Sequence, residues 1–266
     1  MLNRFFEEGV ALGLAQAAVV TVLALAVMFL ARSRGIHLER ETVVGLVRSI
    51  VQIVAVGLVL VLLLQGPAWT SAIVLALMMV AAAAIAARRA KEIPGALGVS
   101  FYGIAFGSGV VTALMTFFGV IETAMTSLVP VGSMIITNAM NSNALALERF
   151  RAGVSSHVGA IEAGLALGAA PARVVVSPYV QEAVAASLIP RVDNLRSLGI
   201  VWIPGLMAGM ILAGSDPVYA AIHQVVVIAM IFASSGLTSV VSTLLVRSHA
   251  FSEAEQLVLR QSPREP

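Results

Sequence analysis

The sequence predicts an all-α integral membrane protein with about seven transmembrane helices, its N-terminus outside and its C-terminus in the cytoplasm. Three observations carry that prediction. Of the 266 residues 59% are hydrophobic and only 11% are charged, with a mean hydropathy of +0.97, whereas a soluble domain is about 25% charged. The apolar residues fall in runs about 20 long, the length that crosses a hydrocarbon core of about 30 Å. The basic residues also collect in every second connection between runs, as they do in oriented membrane proteins. A soluble enzyme, a nucleic-acid binder and a disordered tail are excluded on these grounds.

The runs are 9–31, 43–64, 69–87, 97–121, 126–147, 198–214 and 218–246. The first exceeds the ~7–15 apolar residues of a signal peptide, and Glu7 and Glu8 spoil the basic segment that would precede one, so it reads as an uncleaved span. The second holds Arg48, the one charge well inside a run, with Gln52 a turn further along the same face. Gln65-Gly66-Pro67 then makes a turn. The third is Ala-rich, and the fourth contains the pair Gly103 and Gly107, whose spacing lets helices approach closely. The fifth carries a polar stripe of Met134, Asn138, Asn141 and Ser142. The sixth is short, with Pro204 as a hinge and Gly205 and Gly209 as a packing pair. Ser215-Asp216-Pro217 opens the seventh as a cap with proline in the first turn, and Gln224 follows near its outer end. In the tail, Ser252 and Glu255 have the spacing of a capping box.

Fourteen of the 16 bases lie on one side of this arrangement: Arg32, Arg34 and Arg40; Arg88, Arg89 and Lys91; Arg149, Arg151, Arg173, Arg191 and Arg196; and Arg247, Arg260 and Arg264. The basic isoelectric point of about 9.5 is therefore a topology signal, and no nucleic-acid partner is needed to explain it. The segment 148–197 is far longer than any other connection. It reads as a cytoplasmic helix–turn–helix, broken at Gly168-Ala169-Ala170-Pro171, that is too apolar to lie free in water and so invites a protein partner.

The chemistry the chain lacks narrows its function. Without cysteine there is no disulfide, thiolate metal site or cysteine nucleophile. The sole lysine, Lys91, follows Arg-Arg-Ala, so the chain has no phosphate-cradling loop and no cofactor of its own is expected. Phe106 precedes Gly107-Ser108-Gly109 where an intramembrane serine protease wants glycine, and no HExxH occurs, so an enzyme is not expected. An ion-driven secondary carrier, the alternative transport class, wants carboxylates in its spans. Glu122, Glu148 and Asp216 all sit at span ends. With no cage of carboxylates, the metal ligands are left unknown.

Glu162-Ala163-Gly164-Leu165-Ala166-Leu167-Gly168 is similar to the loop by which ABC-transporter permeases dock on their ATPase. Four further stretches extend the resemblance over nearly the whole chain. They are Arg48-Ser49-Ile50-Val51-Gln52, Met134-Ile135-Ile136-Thr137-Asn138-Ala139-Met140, Leu167-Gly168-Ala169 with Leu188-Ile189-Pro190, and Ile203-Pro204-Gly205-Leu206-Met207-Ala208-Gly209 followed by Ala213-Gly214-Ser215-Asp216-Pro217 and Gln224. Together they resemble the family of seven-span ABC permeases that includes the Fet-type iron exporters and a plant aluminium-tolerance half-transporter. Ser133 and Thr137 stand where that family has glycine. The resemblance implies a homodimeric permease of a bacterial inner membrane that exports iron or another metal, free or chelated. ATP would be bound by a separate cytoplasmic ATPase subunit. It leaves open a non-metal cargo such as a nucleotide sugar. The coupling residues would be Glu162, Leu167, Gly168, Ala169 and Pro171. Position within the runs makes Arg48, Gln52, Met134, Asn138, Asn141, Ser142 and Gln224 the candidates to line a path, the alternative being that Arg48 snorkels to the interface and the amides hold helices together.

Overall fold

A computed structural model describes residues 9–34, 39–63, 69–170, 176–251, 256–257 and 259. The turn expected at Gln65-Gly66-Pro67, the end of the second run at Leu64, the capping box at Ser252 and Glu255, and Pro171 lie outside the described residues.

The chain divides into two units at Gly66. The first consists of α1 (Gly9–Ser33) and α2 (Glu39–Leu63), which pack on one another. The second holds α3 (Trp69–Arg89), α4 (Ala96–Phe117), α5 (Met125–Ser156), α6 (Val158–Ala166), a π-helical turn (Val176–Val180), α7 (Gln181–Ser197), α8 (Gly205–Leu212) and α9 (Pro217–His249). Among the described residues four helices, α1, α3, α4 and α9, are long and apolar enough to cross a membrane. The 32-residue α5 is long enough at about 48 Å, but its amides and the charged residues of its last turns dilute its hydropathy.

The second unit has the polarity expected of a protein dissolved in hydrocarbon. Large apolar side chains point outward: Ile73, Leu77 and Val80 on α3, Phe101, Phe106 and Leu114 on α4, and Ile222, Val225 and Val240 on α9 are all exposed. Hydroxyls are turned in, with Ser234, Ser235, Thr238, Ser239, Ser242 and Thr243 of α9 fully buried. Lipid tails are as apolar as leucine, so helices associate there through close fit and small residues instead of through a drive to escape water. Gly103 and Gly107 supply that fit. A Cβ on Gly107 would lie 2.7 Å from the Thr238 nitrogen and 2.8 Å from the Ser234 carbonyl oxygen, so α4 and α9 approach backbone to backbone there. At Gly205 and Gly209 a Cβ would meet nothing within 4 Å; the tight packing expected of that pair is absent among the described residues.

Three apolar clusters order the second unit along its length. Ala90, Ile93, Leu147, Phe150, Val154, Ile161, Val246 and Ala250 make one, which gathers the α3–α4 connection and the C-terminal ends of α5 and α9 at the same end. Leu75, Ala82, Ala86, Ile104 and Ile136 fill the middle. Val111, Ile121, Val131, Ile135 and Val227 make the third. Arg88, Arg89, Lys91, Arg149, Arg151 and Arg247 therefore share the first end, where Arg151 also pairs with Glu92.

Two stretches differ from the sequence expectation. The run 198–214 is not one helix: α8 covers only Gly205–Leu212, a rise of about 12 Å. Gly199 has a φ of +75° in a tight turn where Leu198 bridges to Trp202, and Pro204 is an extended N-cap. Pro204 thus marks a break between helices and is not a kink within one. In the segment 148–197, Glu148–Ser156 are the last turns of α5, while α7 lies along α5 and α9. Pro190, Arg191, Asp193, Asn194 and Arg196 lower the hydropathy of α7, which is why its packing was invisible in the apolar runs.

Candidate functional site

The polar stripe of α5 ends in a cavity. Met134 and Asn138 of α5, Arg191 and Asn194 of α7, Trp202 of the turn, and Ile228, Ile231 and Phe232 of α9 enclose about 200 Å³. Asn138 is oriented by its own helix, its Nδ2 donating to the Met134 carbonyl at 2.7 Å. That leaves its Oδ1 to accept from the Arg191 Nη1. The Arg191 Nε donates to the Ser142 hydroxyl at 3.4 Å, one turn further along α5. Arg191 is half-buried, and among the described residues no carboxylate pairs with it. The nearby Asp193 is engaged by Arg196 at 3.8 Å on the exposed face.

The structure thus joins Met134, Asn138 and Ser142 to a residue the sequence assigned only to the basic side of the topology. Two sequence features fit this pairing once the packing is seen: Asn194 follows Arg191 by three residues, which sets both on one helix face, and an amide in mid-span needs a partner. The other path candidates lie elsewhere. Asn141 is half-buried on α5. Arg48 and Gln52 are exposed on α2, in the first unit. Gln224 is buried on α9 with its Oε1 unpartnered, one turn before the cavity residue Ile228. Asn143, off the stripe, donates to the Ser100 hydroxyl at 2.9 Å and ties α5 to α4. Met78 and Met79 pack in the middle cluster. Asp216 is the expected cap, accepting from the Val218 and Tyr219 nitrogens at 2.9 Å each. Among the described residues no three His, Asp or Glu side chains come together to hold a metal.

The coupling candidates form a tip at the basic end. Ile161 of α6 is fully buried in the first cluster, with Val158 and Leu165 against it, which fixes the helix to the end of α5. Gly168 then stops the helix: its φ is +83°, its nitrogen donates to the Leu165 carbonyl at 2.9 Å, and the Ala169 nitrogen donates to the Gly164 carbonyl at 3.0 Å. This is the paired bonding of a Schellman cap, which glycine adopts without Cβ strain. The stop leaves Leu167 88% exposed; Glu162 is exposed as well, and Ala169 is half-buried. Below the tip, the Tyr179 ring lies 5.4 Å from that of His157. Burial, and then the Glu182 carboxylate, hold the Tyr179 phenol above its ordinary range.

An outward apolar surface, an inward hydroxyl stripe and several apolar helices define a multi-pass helical membrane protein. Residues 14–251 match the model of the family described as "Uncharacterised protein family (UPF0014)", and the chain belongs to that family. It is 29% identical over 245 residues to the "Probable iron export permease protein FetB" of Escherichia coli (strain K12), covering 92% of this chain and 94% of that one. To "Protein ALUMINUM SENSITIVE 3" of Arabidopsis thaliana it is 29% identical over 249 residues, 92% of this chain and 90% of the relative. To "UPF0014 membrane protein STAR2" of Oryza sativa subsp. japonica it is 30% identical over 243 residues, 91% and 84% of the two chains. No solved structure matches it.

Proposed function

We propose that this chain is the permease subunit of an ABC transporter that exports a metal such as iron, with ATP hydrolysed on a separate cytoplasmic subunit. The observation that carries the reading is the α6 tip. It offers an exposed leucine on a helix anchored in the bundle, at the end where the bases gather, and a basic end is the cytoplasmic end by the positive-inside rule. The likeness to a relative named an iron export permease supports the direction and the cargo. In this reading the chain crosses the inner membrane seven times with its N-terminus outside, and α7 and α8 together make the sixth, discontinuous crossing. Two copies would each seat a tip on one of two ATPases. Closure of the ATPases around ATP would push the tips together, and α6 would pass that motion to the end of α5 through Ile161, Phe150 and Val154.

The test is stimulation of the partner ATPase by the reconstituted permease. Leu167→Asp changes a side chain that is 88% exposed, so folding and insertion stay intact while stimulation falls by about tenfold or more, as expected for an apolar anchor lost from a docking surface. Full stimulation by the variant refutes the docking role. Sustained uphill export by the permease alone, without any ATPase, refutes the class.

A further inference from the structure

We propose that the cavity around Arg191 is an oxyanion subsite, which takes a carboxylate or phosphate group. Under the permease reading, on which this part rests, the metal cargo then travels as an anionic complex and not as a bare cation. Three observations converge on the site.

The first is the state of the guanidinium. Of its five N–H donors, one reaches Asn138 and one reaches Ser142. The other three have no protein partner among the described residues. A guanidinium is always charged, and its fork matches carboxylate and phosphate oxygens. The Asn138 amide, itself pinned by the Met134 carbonyl, holds that fork in place, and Asn194 brings a further amide to the same cavity. Every polar group facing Arg191 is neutral, so its charge is compensated by no side chain of the described protein.

The second is depth. Asn138 stands 12 positions before Phe150, which belongs to the basic-end cluster, and 13 after Met125, where α5 begins. At 1.5 Å per residue the cavity is about 18 Å from one landmark and about 20 Å from the other. An arginine near an end can extend to water, but one at mid-depth needs an aqueous cavity or an anion.

The third is the backbone. The cavity is lined by Trp202 from the turn between α7 and α8. Non-helical backbone at membrane depth is tolerated where it lines a cavity, and discontinuous helices mark midplane ligand sites. An empty divalent cation would be repelled here. A metal wrapped in carboxylates or phosphates would present the complementary charge.

The chain has two tryptophans, so Trp69→Phe leaves Trp202 as a reporter inside the cavity. The purified full-length W69F protein in a non-ionic detergent is titrated with citrate and with inorganic phosphate at constant ionic strength, and Trp202 emission is followed. A saturable change is expected. Affinity falls by about tenfold or more in Arg191→Gln, as for a lost charge-assisted hydrogen bond. It falls several-fold in Asn194→Ala, which leaves the Asn138–Arg191 bond untouched, and stays unchanged in Arg196→Gln on the exposed face. The titration is repeated in nanodiscs of phosphatidylcholine with and without phosphatidylglycerol. Displacement of the citrate response by phosphatidylglycerol keeps the oxyanion subsite and assigns it to a lipid phosphate, overturning the anionic-cargo part. Emission that does not respond to any of the three anions, or responds equally in a monodisperse Arg191→Gln and Asn194→Ala, overturns the subsite. An Arg191-independent titration with normal ATPase stimulation removes the subsite alone, whereas Arg191-dependent binding without any stimulation leaves the subsite and removes the permease reading.

Discussion

Replacing Gly107 with alanine adds one methyl group at the point where α4 and α9 come closest. The new Cβ would stand 2.7 Å from the Thr238 nitrogen and 2.8 Å from the Ser234 carbonyl oxygen. Both are backbone atoms of a helix and cannot rotate aside. Restoring ordinary contact parts the two helices locally by about 0.7 Å, a gap that forfeits a quarter to a half of the dispersion energy of each affected atom pair. Overpacking of this kind costs about 1–3 kcal/mol, and the gain from placing Ala for Gly in a helix, about 1 kcal/mol, offsets part of it. The net expectation is a loss of about 1–2 kcal/mol. Two neighbours calibrate the number. At Gly103 the obstructing atom is the Ser242 hydroxyl, which has no hydrogen-bond partner and can turn away, leaving the Ser242 Cβ at 3.2 Å and the Thr238 carbonyl at 3.4 Å. Gly103→Ala is therefore near neutral. At Gly98 nothing lies within 4 Å, and alanine there stabilises by up to about 1 kcal/mol. The assay is SDS-induced unfolding from mixed micelles followed by helical circular dichroism. Equal midpoints for Gly98→Ala and Gly107→Ala would show that α4 and α9 are not held by close approach.

Two further changes test the local chemistry. Asn138→Leu removes the acceptor that orients Arg191 and leaves a charge facing apolar groups, a loss of about 1.5–3 kcal/mol in the same unfolding assay; Asn138→Asp, which keeps an acceptor, recovers most of it. Asp216→Ala deletes the side-chain cap of α9 and costs about 1 kcal/mol, whereas Asp216→Asn costs little because an amide oxygen accepts the same two bonds; unfolding midpoints that fail to separate the two variants would refute the capping role.

How much the sequence revealed depended on which physical signal each element left. Helices α1, α3, α4 and α9 announce themselves because an uninterrupted apolar run of their length suits a bilayer and little else. The close approach of α4 to its neighbour was legible in the spacing of Gly103 and Gly107, whereas the partner face, Ser234, Thr238 and Ser242, emerged only from the fold. Hydropathy marks where a helix leaves oil, not where it stops, so α5 runs on to Ser156 although its apolar run ends near Leu147. The same blindness merged 198–214 into one run, since Gly199 and Pro204 carry no charge and stand among strongly apolar neighbours, yet set the turn and the break. Arg191 was counted with the topology-setting bases because charge in a segment rich in charge carries no positional information; only packing against Asn138 reveals its depth. The motif singled out the stretch around Leu167 and Gly168, but its anchoring through Ile161 required the fold.

The turn between α7 and α8 closes upon itself. The Ser197 carbonyl receives the nitrogens of Ile200, Val201 and Trp202 at 3.0–3.2 Å, and the Trp202 carbonyl receives Gly199 at 3.0 Å. Because this segment satisfies its own amides, a swing between the two rods it connects would leave their internal ladders whole and would need only a few torsions near Gly199. A continuous rod would have to snap hydrogen bonds in oil to make the same movement, so under the proposed permease reading the broken one is the cheaper hinge on which to hang an alternating doorway.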